Sequence, residues 1–337
     1  MYPITIKDIA KLLGISKSTV SRALKDHPDI SQKTKDAVLQ LAESLHYRPN
    51  AIAMSLRHKK SKVIGLIIPQ ISYFFFPSVA EGIETEVYKH GYKLMILSSN
   101  EKYEREVEAC NILLSNNVEG VLASVSRKTN DFNHFQDIID SEIPIVFFDR
   151  VPDNIEADMV LVDDIDGAYK ATKHLIEIGK KRIAICIGNP NLLISKNRLQ
   201  GYQKACKEFK PSVEEQFIIS CETPEEAERE TNRLINGKNP PDGILAISDL
   251  TMSGIMKAIY KNDLKIPEEI AVIGFCEEPF CTMYKPPVST IKPMGFEIGN
   301  TAAKMLFKRI SEEGQEKSQA QRIDLISEMI IRASTIK

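Results

Sequence analysis

Apolar residues in the first fifty positions recur at helical spacing. Ile6, Ile9, Ala10 and Leu13 line one face of a helix predicted from about Ile6 to Leu13, and Thr5 with Asp8 forms an acidic variant of the capping box. Gly14-Ile15 then reads as a tight turn, and Ser16 caps a second helix, Lys17 to Leu24, whose inward face is Val20, Ala23 and Leu24. Ser31 caps a third helix with the stripe Ala37, Val38, Leu41, Ala42 and Leu45, which must end before Tyr47-Arg48-Pro49. Three short helices of this kind can close one small core.

From Val63 the pattern changes to short apolar runs alternating with amphipathic stretches. The runs are Val63–Ile68, Leu94–Leu97, Gly120–Val125, Ile145–Phe148, Met159–Val162, Ile183–Ile187, Phe217–Ser220, Ile244–Ile247 and Ala271–Phe275, with a further strand-like run at Met329–Arg332. Such alternation predicts parallel sheets with crossover helices, and the number of runs exceeds one compact sheet. Two α/β lobes follow, each with its ligand edge at the carboxyl ends of its strands, so the cleft between them is the expected ligand site.

Composition supports several cores: 337 residues, 43% hydrophobic and 27% charged, describe a soluble globular chain. No run approaches the ~18–20 uncharged apolar residues of a membrane span, and the N-terminus lacks a basic start followed by an apolar stretch, so a cytoplasmic protein without membrane contact is expected. The six cysteines are scattered, with no C-x-x-C and no histidine at ligand spacing; free, mostly buried thiols and no metal site are expected. No G-x-G-x-x-G, G-x-x-x-x-G-K-[ST] or G-x-S-x-G is present, which removes the usual anchors of nucleotide and hydrolase chemistry, so neither catalysis nor a cofactor is expected. Charge is asymmetric. Residues 1–62 hold 12 Lys and Arg against 5 Asp and Glu, whereas the remaining 275 hold 32 against 41. A small basic module preceding an acidic one fits a polyanion binder. The outward face of the second helix, with Lys17, Ser18, Ser21, Arg22 and Lys25, suits base edges and phosphates in a major groove.

Three stretches carry a resemblance in order and register: Thr5-Ile6-Lys7-Asp8-Ile9-Ala10, Gly14 through Leu24, and Tyr47-Arg48-Pro49-Asn50 with Ala53, Ser55, Leu56 and Arg57. The chain resembles the LacI/GalR family of bacterial transcription regulators. The resemblance implies an α-helical helix-turn-helix domain at 1–49, a hinge helix and linker at 50–62, and a bilobed α/β core at 63–337, similar to type I periplasmic binding proteins. The lobes are expected at about 63–161 plus 292–322 and about 162–291 plus 323–337, with two parallel sheets. It further implies a homodimer on near-palindromic double-stranded operator DNA, regulated by a small-molecule effector, most simply a sugar or sugar derivative, at a carbohydrate-use operon.

Asn50 would cap a hinge helix, 51–57, too short to form alone, so its folding would couple to DNA binding. Leu56, with Ala53 beside it, is the side chain that family members wedge into the minor groove. The expected DNA-facing set is therefore Thr5, Ser16, Lys17, Ser18, Thr19, Ser21, Arg22, Lys25, Ser31, Thr34, Tyr47, Asn50, Ala53 and Leu56. The expected effector set lies at or just past strand ends, Tyr73, Phe74, Ser124, Asp149, Arg150, Ser248, Asp249, Cys276 and Glu277, together with Arg198 at the start of an Arg-Leu-Gln-Gly-Tyr segment. Many relatives place an aspartate after the equivalent of Gly274-Phe275, where this chain has Cys276. No apolar heptad tail follows Met329–Arg332, so a dimer rather than a tetramer is expected. The alternative is a solute sensor acting through protein partners, which salt-dependent operator binding would exclude.

Overall fold

The computed structural model describes residues 4–47, 61–72, 74–210, 215–312 and 319–336, and divides the chain into compact units at residues 1–62 and 63–337. Asn50, Ala53, Leu56, the expected hinge helix at 51–57 and Tyr73 lie outside the described residues.

In the first unit α1 spans Ile6–Leu13, α2 Lys17–Ala23 and α3 Gln32–Ser44. Local chemistry fixes their ends. The Thr5 amide donates to Asp8 Oδ2 at 2.9 Å, and Gly14 ends α1 at φ 64°, where an L side chain would be strained. Ser16 Oγ accepts from the Thr19 amide at 3.0 Å, and Ser31 Oγ from that of Thr34 at 3.3 Å. Ile9, Ala10, Val20, Ala23, Val38 and Ala42 form the buried centre, with Leu24, Leu41 and Leu45 partly buried around it. Ala37 is exposed, because it lies one residue off the i, i+3, i+4, i+7 stripe of Val38, Leu41, Ala42 and Leu45. Lys35 is buried beneath the turn after α2, where its Nζ donates to Asp26 Oδ1 at 2.6 Å.

The second unit contains, among the described residues, two six-stranded sheets with orders β11-β5-β4-β3-β1-β2 and β12-β10-β9-β8-β6-β7. The strands are β1 Val63–Ile68, β2 Lys93–Ser98, β3 Gly120–Ala123, β4 Ile145–Phe148, β5 Asp158–Val162, β6 Arg182–Ile187, β7 Glu215–Ser220, β8 Gly243–Ala246, β9 Ala271–Phe275, β10 Ser289–Ile291, β11 Arg322–Leu325 and β12 Met329–Ile330. Every pairing is parallel except β10 with β12. Helices cover both faces, so central strands such as β1, β6 and β9 are apolar on both sides.

The chain crosses between lobes three times: after β5, between β10 and the helix Gly295–Ser311, and between β11 and β12. The last crossing lies beyond Leu325 rather than at Ile323, because Ile323 and Leu325 pair with Val160 and Val162 and pack into the first lobe's core. No helix among the described residues is long and apolar enough to cross a membrane, and all six cysteines are buried and free.

Glycines permit one close helix contact that sets the first lobe's geometry. Helices Phe75–Lys89 and Gly295–Ser311 touch backbone to backbone: a Cβ at Gly299 would stand 2.0 Å from Val79 O, and one at Gly82 2.1 Å from Phe296 O. Gly299→Ala must therefore part the helices and should cost roughly 1–3 kcal/mol. Calorimetry on the variant tests this, and an unchanged melting temperature would mean that the pair separates freely.

Candidate functional site

On the first unit, α2 turns Val20 and Ala23 inward and leaves Ser16, Lys17, Ser18, Arg22 and Lys25 exposed, with Thr19 and Ser21 half-buried. Ser16 Oγ stands 2.6 Å from Ser18 Oγ and 2.8 Å from Thr19 Oγ1, so the hydroxyls at the start of α2 form one cluster. Thr5 is engaged with Asp8, and Ser31 with Thr34, each at a helix start. These four side chains organise helix ends that face solvent, whereas Lys17, Ser18, Arg22 and Lys25 extend from the surface. Tyr47 packs against the small core, and burial pushes its phenol up.

In the second unit a cavity of about 140 Å³ lies between the lobes, at the carboxyl ends of β1, β4, β6, β7, β8 and β9. Of the expected effector residues it brings together Asp149, Arg150, Arg198, Ser248 and Asp249.

Asp149 follows β4 at φ 59°, a left-handed backbone conformation. It accepts from Ser124 Oγ at 3.4 Å and lies 3.8 Å from Arg150 Nε. Burial raises its pKa to about 6, against the lowering influence of Arg150 and Arg198. Arg198, on the helix Leu193–Glu208, is buried; its Nε donates to Asp164 Oδ1 at 2.7 Å, its Nη1 to Ile247 O, and its guanidinium lies 3.7 Å from the Phe275 ring centroid. Burial also pushes the Asp164 carboxyl up, with Arg198 opposing.

Ser248 caps the helix Asp249–Lys261 and, through a reciprocal bond set with Thr251, fixes Asp249 at its first position. Asp249 is buried and accepts from the Glu277 amide at 3.1 Å; burial raises it to about 6, while that amide and the Cys276 thiol stabilise its charge.

Phe74, Ser124, Cys276 and Glu277 do not line the cavity. Phe74 stacks tilted against Phe280 at 5.5 Å, and the next two residues, Phe75 and Phe76, reach the cavity instead. Ser124 stands behind Asp149. Cys276 is fully buried behind Asp249, its thiol pushed well up by burial. Glu277 turns away, towards the start of the helix Gly295–Ser311, with its Oε1 accepting from the Gly295 amide at 2.9 Å.

Three charged residues at the cavity went unnoticed in the sequence. Arg127 and Glu222 line it, and Glu101 stands behind. Glu101 accepts from Arg150 Nη1 at 2.9 Å and faces Arg127 Nη2 at 3.1 Å; burial opposes its ionisation, but the two guanidiniums hold its carboxyl below the ordinary value. Arg127 Nη1 reaches Glu222 Oε2 of the other lobe at 3.6 Å. The loop bearing Arg127 is set by buried Glu106, which accepts from the Ser126 amide at 2.6 Å and Thr129 Oγ1 at 2.7 Å. All three lie within four residues of a strand end, after β2, β3 and β7, so the strand-end rule could have found them; what it could not report is which of them pair.

Residues 61–329 match the family model of periplasmic binding proteins and the sugar binding domain of the LacI family, and residues 5–50 match that of bacterial regulatory proteins, lacI family. The chain is 31% identical over 333 residues to the HTH-type transcriptional repressor PurR of Haemophilus influenzae (strain PittEE), covering 98% of each protein. Its fold is similar to that of the Lac repressor dimer bound to operator and the anti-inducer ONPF, with TM-score 0.86, 22% identity and 100% of both chains covered. It is also similar to the transcriptional regulator CelR in complex with cellobiose, with TM-score 0.72, 23% identity and 98% and 99% of the two chains covered.

Proposed function

The chain belongs to the LacI family of bacterial regulatory proteins, and from that premise we propose that it is a cytoplasmic, homodimeric repressor of a carbohydrate-use operon, released or tightened on operator DNA by a small polyhydroxylated effector. Lys17, Ser18, Ser21, Arg22 and Lys25 are the residues proposed to enter the major groove, with Thr5, Ser16, Thr19, Ser31, Thr34 and Tyr47 at the phosphates or supporting them. Asn50, Ala53 and Leu56 are assigned to the hinge. The Lac repressor solved with operator as a dimer supports the assembly, and the CelR–cellobiose complex supports the ligand class.

The observation that carries the effector reading is how charge pairs at the cavity. Arg127 and Arg150 share Glu101, and Arg198 holds Asp164, so the buried carboxyl of Asp149 faces, at 3.8 Å, only a guanidinium already engaged with Glu101, and that of Asp249 binds the Glu277 amide. Such acceptors favour a ligand that brings hydroxyl donors and no negative charge. Phe75 and Phe76 supply apolar faces for its ring. Tyr73 is proposed to join them.

The test has two arms. Duplexes selected from random DNA by the purified protein should bind with a steep loss of affinity as salt rises. Among neutral sugars, sugar phosphates, uronates and nucleobases, neutral sugars should give the largest rise in melting temperature. Unselective or salt-insensitive DNA binding would favour a sensor acting through protein partners, and a uronate, phosphate or nucleobase as best ligand would overturn the carbohydrate assignment.

A further inference from the structure

Cavity and interlobe crossover meet at one residue outside the cavity lining. Glu277 follows β9 in the second lobe and is buried at 4% exposure. Its amide is bound by Asp249, which lines the cavity, at 3.1 Å, and its carboxylate binds the Gly295 amide at 2.9 Å. Gly295 begins the helix whose Ile298, Ala302 and Leu306 are packed into the first lobe. The contact therefore spans the second crossover without using the chain itself.

Space around it is tight. A Cβ at Gly295 would stand 2.7 Å from Glu277 Oε1, 3.0 Å from Ser78 Cβ and 3.1 Å from Phe75 O, so this amide is pinched between a second-lobe carboxylate and the first-lobe helix that carries Phe75 and Phe76 into the cavity. A rotation of the lobes that moves Glu277 relative to Gly295 strains this bond. A displacement of Asp249 likewise moves the Glu277 backbone that aims it.

We propose that Glu277 is the positioning residue that couples the effector cavity to the first lobe: Asp249 holds its backbone, and its carboxylate holds the leading amide of the helix Gly295–Ser311. The inference deepens the regulator reading above, resting on it for the identity of the cavity. Asp249, Lys292 and Glu297 are the charged groups around the Glu277 carboxyl. Burial raises that carboxyl to about 7, with the Gly295 amide opposing, Asp249 adding to the rise, Lys292 opposing and Glu297 adding. A carboxylate accepts from an amide more strongly than the neutral acid does, so the Gly295 bond strengthens as Glu277 ionises.

The chain has only sixteen glycines, so glycine-selective nitrogen labelling gives a spectrum in which the Gly295 amide can be assigned by its loss in Gly295→Ser. In the full-length protein, without DNA or effector, its proton should move downfield with a midpoint near neutral pH across about pH 5.5–8.5. Glu277→Gln, which keeps an acceptor but cannot ionise, should leave it flat. Asp249→Asn removes the like charge at the cavity and should lower the midpoint by roughly one pH unit. Should Glu277→Gln fail to fold, the wild-type titration and the Asp249→Asn shift still decide the matter. A Gly295 amide that does not titrate in the wild type, or a midpoint that Asp249→Asn leaves in place, overturns the proposal. Neither result bears on operator selection, and failure of operator selection would leave this coupling intact.

Discussion

Arg198→Ala is expected to lower the stability of the bilobed core by about 3–5 kcal/mol, the cost of leaving a buried carboxylate without its partner. Asp164 and Arg198 are each about 7% exposed and are joined at 2.7 Å, and the same guanidinium binds Ile247 O and covers the Phe275 ring. Removing it strands Asp164, frees a carbonyl at the end of β8 and opens the cavity wall together. For a core of this size the loss corresponds to a melting temperature lower by roughly 6–15 °C. The double variant Arg198→Met, Asp164→Leu should recover most of the stability, since replacing both members of a buried pair by apolar residues is often neutral. A single variant that melts with the wild type would mean that Asp164 finds another partner or a proton at no cost. Arg198 lines the cavity and also holds a buried ion pair, so the effector response of this variant must be judged at a temperature where it remains folded.

Arg22→Ala is the substitution expected to change DNA recognition most. Arg22 is exposed in the last turn of α2, whose inner residues Val20 and Ala23 are buried, so it can be removed without opening the small core. An arginine reaching guanine bidentately is worth ~1–3 kcal/mol of discrimination, or about 5- to 150-fold between a selected duplex and its single-base variants. Lys25→Ala, by contrast, should weaken all duplexes alike and reduce the salt slope by about one. Competition binding against a set of single-base variants separates the two, and an Arg22→Ala protein with the wild-type ranking would exclude base readout by this residue.

Short-range chemistry made the small helical unit legible from its residues. The caps at Thr5, Ser16 and Ser31, the left-handed Gly14 and the stripe Val38, Leu41, Ala42 and Leu45 act within a few residues, so three helices could be placed from them almost to the residue. The nine apolar runs from Val63 to Phe275 all became strands; the central ones, such as β1, β3, β4, β6 and β9, are buried on both faces, which leaves a continuous apolar run. Asp149, Arg150, Ser248 and Asp249 were legible because parallel sheets gather ligand residues at strand ends.

Tertiary structure alone decided which distant segments meet. Ser289–Ile291 is only three residues long and Arg322–Leu325 alternates exposed with half-buried positions, so each becomes a strand through its neighbours: β9 and β12 for the first, β5 for the second. Glu101 lies 49 residues from Arg150, and Arg127 lies 95 from Glu222; no periodicity reports pairs at such separations. Cys276 and Glu277 follow a strand end as a ligand residue would, yet one is enclosed behind Asp249 and the other turns to the opposite lobe. A strand end fixes where the backbone stops, but the direction of the next side chain is set by what packs against it, here the leading amide of a helix that begins 18 residues later in the chain.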